Sequence, residues 1–300
     1  MKAIFIFLLL FCLLPLGASG TGKVKVIDVF LVAGQSNATG QGYVANLPKG
    51  FMPNSKVLLF HSGRPHLNSG AEPYTWITLR PASESPDRFG PELGFGNQIQ
   101  ALNPKSAIAL IKHAHTGTNL YSDWSPGDSS KDTLNWGIQY AVFVSTVESG
   151  LKGLRKMGYD PVIKGMIWQQ GESDADRSGA VSENYGKNLA HFIKRVREQF
   201  SCPEMIFVYG YIYPPPNIGK GIDLVRKGQF EVDQNSGFPV SVKGAFVVPT
   251  EDLDHRANDY HTPLPNDYVH FGSSGTLELG RRMAVKMDNE LKNNIVHKLK

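Results

Sequence analysis

Residues 27–40 read IDVFLVAGQSNATG, a run of apolar and β-branched side chains that stops at Gly34 and is followed by Gln35, Ser36 and Asn37. The apolar part is short and continuous and runs straight into a turn-forming sequence. It predicts a strand over 26–33 buried on both faces. Ser36 then falls in the turn just past the strand's carboxyl end, where its hydroxyl is exposed beside backbone N–H groups able to stabilise an oxyanion. Gly-Gln-Ser-Asn is also ordinary turn composition. The tetrapeptide by itself fits a nucleophile and a plain turn alike.

Working outward, similar apolar runs recur: KVLLF (56–60), SAIALIKHA (106–114), KGMIWQQ (164–170), MIFVYGYI (205–212) and GAFVVP (244–249). Between them lie segments of helical spacing, ELGFGNQIQAL, WGIQYAVFVSTVESGLKGLRKMG and NYGKNLAHFIKRVREQF. Alternation of buried strands with helices predicts an α/β protein, a three-layer α/β/α sandwich around a mainly parallel central sheet. No internal repeat, low-complexity tract or long linker interrupts it. Open sheets of this kind carry their chemistry where the strands end, which returns attention to Ser36.

A serine nucleophile needs a base. Near the carboxyl terminus, PNDYVHFGSSGTLELGRRMA places Asp267 three residues before His270, ahead of a helix whose start is marked by Ser273 or Ser274 with Gly275. At that spacing an aspartate can orient an imidazole while the other ring nitrogen faces the crevice. A capping aspartate beside a surface histidine is the plain alternative for Asp-x-x-His taken alone.

The chain opens with Met1-Lys2, then AIFIFLLLFCLLPLGA, then the small residues through Gly20. A positive start, a short apolar core and a small-residue exit describe a secretory signal peptide over residues 1–20. The apolar run is broken by Pro15 and Gly17 and falls short of the roughly 20 residues that span a bilayer. The expectation is a secreted or periplasmic protein with no stable membrane association after cleavage, built as one domain over residues 21–300. Loss of Lys2 lowers the formal charge from +4 to +3, and the basic residues are spread along the chain, which is no nucleic-acid footprint. Cys202 is the one cysteine left after Cys12 departs with the leader, so an internal disulfide is excluded.

Six ordered blocks carry a resemblance: LVAGQSNATG, FGPELGFG (89–96), IKHAHTGTNLYSDW (111–124), IKGMIWQQGESDA (163–175), VRKGQ (225–229) and NDYVHFGSSGTLELG (266–280). Together they resemble the SGNH-hydrolase superfamily, and within it the carbohydrate acetylesterases that include sialate O-acetylesterase-like domains and acetyl xylan esterases. The resemblance implies an SGNH/flavodoxin-like sandwich and a serine esterase that removes O-acetyl groups from carbohydrate through an acetyl-enzyme, without cofactor or metal. Residue by residue it implies Ser36 as nucleophile, His270 as general base and Asp267 as its orienting acid. It also implies an oxyanion hole of the Ser36 and Gly90 N–H groups with the Gln170 amide. In GESD, a Gly-x-Asn-Asp alignment selects Ser173 as the alternative donor. Gln170 is preferred because a planar carboxamide fixes its N–H bonds while a hydroxyl rotates.

Substrate contacts are expected from Gln35, Asn37, Thr118, Trp124 and Arg226. Trp124 has a second reading as a core side chain, and Arg226 as a solvated helical arginine. His113 and His115 alternate after a strand and could hold a metal with a third ligand, or simply line or pack beside the site. Glu172 and Asp174 read as loop-fixing carboxylates. A paired-carboxylate glycosidase would leave Ser36 and Asp-x-x-His unexplained. A lipase or thioesterase would want a large apolar acyl pocket, which His113, His115, Tyr121 and Trp124 do not suggest. A non-catalytic carbohydrate-binding protein would have no need of an intact Ser36, Asp267 and His270. The sequon Asn37-Ala38-Thr39 is read as unused, because a glycan there would cover the site it adjoins.

Overall fold

The computed structural model describes residues 24–63, 73–177, 179–213 and 220–298, with side chains as far as residue 294. The leader expected at residues 1–20 lies outside them. The strands are β1 (Lys25–Gly34), β2 (Gly42–Tyr43), β3 (Val57–His61), β4 (Ile77–Thr78), β5 (Arg88–Phe89), β6 (Ile108–Ala114), β7 (Tyr159–Gln169), β8 (Ile206–Gly210) and β9 (Ala245–Val248). The α-helices are α1 (Ser36–Thr39), α2 (Glu92–Leu102), α3 (Ile138–Lys156), α4 (Glu172–Asp176), α5 (Ala180–Glu183), α6 (Tyr185–Gln199), α7 (Ile222–Val232) and α8 (Ser273–Lys298). Seven strands form one sheet in the order β4-β3-β6-β1-β7-β8-β9, parallel throughout except for the short antiparallel β4. β2 and β5 pair separately.

β1 is central because both of its faces are apolar. Val29, Leu31 and Ala33 join a core built with α3, α6 and α7, through side chains such as Phe143, Phe192 and Val225. Phe30 and Val32, pointing the other way as strand geometry requires, join a core built with α2 and α8 through Phe95, Ile99 and Met283. Two apolar layers on one sheet make the α/β/α sandwich. Its active end is set by topology. β1 pairs with β6 on one side and β7 on the other, so connections leave it in opposite directions and open a crevice beyond its carboxyl end.

The expected strands and helices form within a few residues of their predicted bounds, with one extension. β7 begins at Tyr159, well before the apolar run at 164, and passes through Pro161. Pro161 lies opposite Ile27 of β1, whereas pairing with β8 starts only at Gly165, so the proline occupies a free edge where no ladder donor is needed. Cys202 is a free thiol, and burial raises its pKa to about 11 against the pull of Arg197.

Candidate active site

Gly34 ends β1 with φ +140°, and a Cβ on it would stand 2.1 Å from the carbonyl oxygen of Gln169. Only glycine allows that approach and that backbone conformation. The Gln35 N–H donates to the same oxygen at 3.0 Å, and the chain turns at once into α1, whose first residue is Ser36. The Ser36 N–H leads that helix and has no backbone acceptor among the described residues. A second anchor closes the turn from below. The Lys112 ammonium, buried on β6, donates to Thr39 O at 2.8 Å, Ala82 O at 2.6 Å and Glu92 Oε2 at 2.6 Å.

The loop between β9 and α8 brings the distant histidine to this turn. His270 Nε2 lies 3.0 Å from Ser36 Oγ, and its Nδ1 lies 3.0 Å from each carboxylate oxygen of Asp267. Two backbone bonds frame the pair: Arg256 N–H to His270 O at 3.0 Å and Ala257 N–H to Asp267 O at 3.1 Å. The buried Arg256 guanidinium donates to Asp267 Oδ2 at 3.2 Å and to the Tyr43 hydroxyl, and lies 4.9 Å from the Tyr43 ring centre. Burial pushes the Asp267 carboxyl up, but the hydrogen bonds and charge of His270 and the charge of Arg256 outweigh it and hold it below the usual carboxylate range. Asp267 is therefore held as a carboxylate against the His270 ring. Asp254 is occupied elsewhere, accepting from the Ser274 hydroxyl at 2.6 Å.

Asn37 joins the two halves of the site. Its Nδ2 donates to Glu172 Oε1 at 2.7 Å and Val269 O at 3.1 Å, while its Oδ1 accepts from Phe271 N–H at 2.9 Å. Asn37 is thus a staple between the serine turn and the histidine loop, which corrects its expected role as a substrate contact. Burial raises the Glu172 carboxyl above its ordinary value, and its Oε2 has no partner among the described residues.

The third block corrects another expectation. Gln170 is fully buried, and its Nε2 is consumed by Gln35 Oε1 at 3.1 Å, Thr118 O at 3.2 Å and Asp174 Oδ2 at 2.5 Å. Tyr185 OH donates to Gln170 Oε1 at 3.2 Å. Such a carboxamide has no N–H left for a ligand. What it does is grip Gln35, whose Oε1 also accepts from Gly171 N–H at 3.4 Å and Ser173 N–H at 3.1 Å. With its oxygen clamped by three donors, the Gln35 carboxamide is fixed. Its Nε2, on the residue before Ser36, has no hydrogen-bond partner among the described residues, although Gln35 is buried, at 3% exposure. Ser173 reaches this cluster through its backbone, and its hydroxyl has no partner among the described residues.

Gly90 is corrected as well. Its N–H donates to Glu92 Oε1 at 3.0 Å, and a Cβ on it would lie 2.4 Å from Glu92 Oε2 and 2.8 Å from Lys112 Nζ. The glycine makes room for a buried ion pair rather than for a carbonyl. The segment after β6 is differently placed: His115 N–H bonds Gly34 O at 3.0 Å, and Thr116 Oγ1 is 3.4 Å from Thr39 Oγ1. The N–H groups of Thr116 and Gly117 have no backbone acceptor among the described residues.

The remaining expected substrate contacts are structural. Thr118 donates to His115 O at 2.7 Å and accepts from Trp124 Nε1 at 2.9 Å. Trp124 is fully buried, its ring centre 5.0 Å from that of Trp168. Arg226 donates to Ile212 O at 2.6 Å and Glu251 Oε1 at 2.5 Å. His113 is buried between Ser62 Oγ at 2.8 Å and Gln139 Oε1 at 3.1 Å, while His115 is half-buried with its Nδ1 3.0 Å from Thr116 O. Asp174 fixes the neighbouring loop, accepting from Leu120 N–H at 2.8 Å and Tyr121 N–H at 3.2 Å. Burial raises its carboxyl to about 6 against those bonds. Arg256 went unread in the sequence, where HRAN carries no signal beyond its nearness to the histidine block.

Shape alone would misplace the site. A cavity of about 640 Å³ lies at the amino-terminal end of the strands, lined by Phe30, Ile108, Ile163, Cys202 and Met205. No histidine lines it, so it lacks a contact of the kind that joins Ser36 to His270, and chemistry locates the site where volume does not.

The model of a family described as carbohydrate esterase, sialic acid-specific acetylesterase, matches residues 26–289. No curated protein matches the chain. Among solved structures, a protein of Arabidopsis thaliana is 23% identical with a TM-score of 0.61, the match covering 88% of this chain and 98% of that one. NanS is 16% identical with a TM-score of 0.66, covering 90% and 98%. A carbohydrate acetylesterase of Xanthomonas citri is 15% identical with a TM-score of 0.56, covering 86% of this chain but 55% of its own. At these identities the likeness is one of fold.

Proposed function

Because this chain belongs to the carbohydrate esterase family of sialic acid-specific acetylesterases, and is therefore a carboxylic ester hydrolase, we propose that it removes O-acetyl groups from carbohydrate by a serine mechanism with an acetyl-enzyme intermediate. The observation that carries the reading is the 3.0 Å contact between Ser36 Oγ and His270 Nε2, with Asp267 on the far ring nitrogen. With Nδ1–H donating to Asp267, the lone pair of Nε2 faces the serine.

In the acylation step His270 Nε2 takes the Ser36 hydroxyl proton as Oγ attacks the acetyl carbonyl carbon. The oxyanion is held by the Ser36 N–H, by the Thr116–Gly117 backbone and by the clamped Gln35 amide, donors fixed before the charge develops. Collapse breaks the ester bond, and the proton on His270 passes to the departing sugar oxygen. Water, deprotonated by the same imidazole, then releases acetate and restores Ser36. Asp267 stays ionised and stabilises the imidazolium in both half-reactions. Acetate release from p-nitrophenyl acetate and from acetylated glycans tests the reading. Ser36→Ala with unchanged circular dichroism should abolish release, and full activity in that variant would refute it.

Export through the residue 1–20 leader belongs to the same proposal, since acetylated polysaccharide lies outside the cell that degrades it. Amino-terminal sequencing of secreted protein should begin near residue 21, and a retained Met1 would contradict export by cleavage.

A further inference from the structure

Aromatic rings run in series away from the catalytic histidine. Tyr268, two residues before His270, has its ring 6.2 Å from that of His255. The His255 ring is 5.7 Å from Tyr213, and 5.7 Å from Phe271. Beyond Tyr213 the Arg226 guanidinium lies 5.7 Å from that ring and 4.9 Å from Tyr211. The ends of the series differ from its middle: Tyr268 is 42% exposed and Tyr213 37%, while His255 is 7%. Neither tyrosine hydroxyl has a hydrogen-bond partner among the described residues.

Both supports are rigid. The Tyr268 loop is stapled by Asn37 to Val269 O and Phe271 N–H at 3.1 and 2.9 Å. Tyr213 follows Tyr211 and Ile212, whose N–H groups bond Val248 O at 3.2 Å and Gln229 Oε1 at 3.0 Å. Arg226, committed to Ile212 O and Glu251, backs the Tyr213 ring. Rings held from behind lose little freedom on binding. Each keeps part of its side chain in solvent together with a hydroxyl that has no partner among the described residues, a combination of aromatic and polar surface that suits the C–H faces and hydroxyl edges of a pyranose. Direction follows from proton transfer. His270 must stand beside the departing oxygen to protonate it, so the side of the cleft bearing Tyr268 is the side of the leaving sugar.

Resting on the esterase reading above, we propose that Tyr268 and Tyr213 form a stacking platform for sugar units on the alcohol side of the scissile ester, so that the preferred substrate is an acetylated glycan chain rather than a single acetylated sugar. Because Tyr268 directly follows Asp267 in the chain, Tyr213→Ala carries the decision. The measurement is kcat/KM on an acetylated oligosaccharide, an acetylated monosaccharide and p-nitrophenyl acetate, for wild type, Tyr213→Ala and Tyr213→Phe. The ratio of oligosaccharide to p-nitrophenyl acetate should fall roughly five- to tenfold in the alanine variant, mainly through KM. The phenylalanine variant should keep most of it. Calorimetric binding of the deacetylated oligosaccharide to Ser36→Ala should weaken by a similar factor when Tyr213→Ala is added. A parallel loss on all three esters, or a wild type that takes the monosaccharide as efficiently as the chain, would overturn the platform. A wild type that hydrolyses none of the esters would instead overturn the reading on which it rests.

Discussion

At the scale of single residues, the proposed chemistry divides into groups that react and groups that hold them. The meeting of Ser36 with the Asp267–His270 pair was legible in the sequence because each carries its chemistry in its own side chain and the acid and base are three residues apart. The carboxamide proposed for the oxyanion was not. Gln170 and Gln35 are equivalent as chemistry, and only the three-dimensional clamp on Gln35 Oε1 decides which amide keeps its N–H bonds free. Removing an oxyanion donor costs about 10²–10³ in turnover. Gln35→Ala should therefore lose kcat on this scale with a nearly unchanged KM in steady-state assays, and Ser173→Ala should stay within about threefold of wild type. A crippled Ser173→Ala beside a normal Gln35→Ala would move the hole to the third block. Asp267→Asn removes the carboxylate that fixes the imidazole tautomer, so kcat should fall by up to ~10⁴ while substrate binding persists. Wild-type kcat in that variant would remove Asp267 from the mechanism.

At the scale of elements, the site depends on how β1 ends and on what braces the loops beside it. Gly34→Ala would force a Cβ to within 2.1 Å of the Gln169 oxygen at φ +140°, so thermal unfolding should show a loss of several kcal/mol, on the order of the larger point-mutant effects. A melting temperature equal to wild type would mean the β1–β7 contact relaxes freely. Asp174 braces the Leu120–Tyr121 loop as a buried acid with its carboxyl raised to about 6. Between the unfolded value and that one, the native state holds a proton that the unfolded chain has lost. Stability is then present at acid pH and is lost as pH rises through about 6, by ~3 kcal/mol. Urea unfolding across this range should show the slope in wild type and lack it in Asp174→Asn, and identical slopes would contradict it. Elements were readable from runs of one periodicity, as α2 over Glu92–Leu102 shows. Where the reading failed, tertiary placement decided: the strand expected at 164–170 begins at Tyr159 through its pairing with β1, and Trp124, expected at the substrate, is found packed against Trp168.

At the scale of the whole molecule, the sandwich gathers residues from opposite ends of the chain at one point of one sheet. The switch at β1 makes the crevice, the serine turn enters it from β1, and α8 delivers the histidine loop from more than two hundred residues away. That convergence followed from the order of blocks in the sequence. The cavity at the other end did not, because it arises where β1, β6, β7, α3 and α8 meet the 200–205 loop, residues far apart in the chain. The central claim is that Ser36 carries the acyl group. Incubation with a serine-directed organophosphonate, followed by peptide mass spectrometry, tests it most directly. The adduct should appear on the peptide containing Ser36 and vanish in both Ser36→Ala and His270→Ala, whereas an adduct on any other serine, or undiminished labelling of His270→Ala, would contradict it.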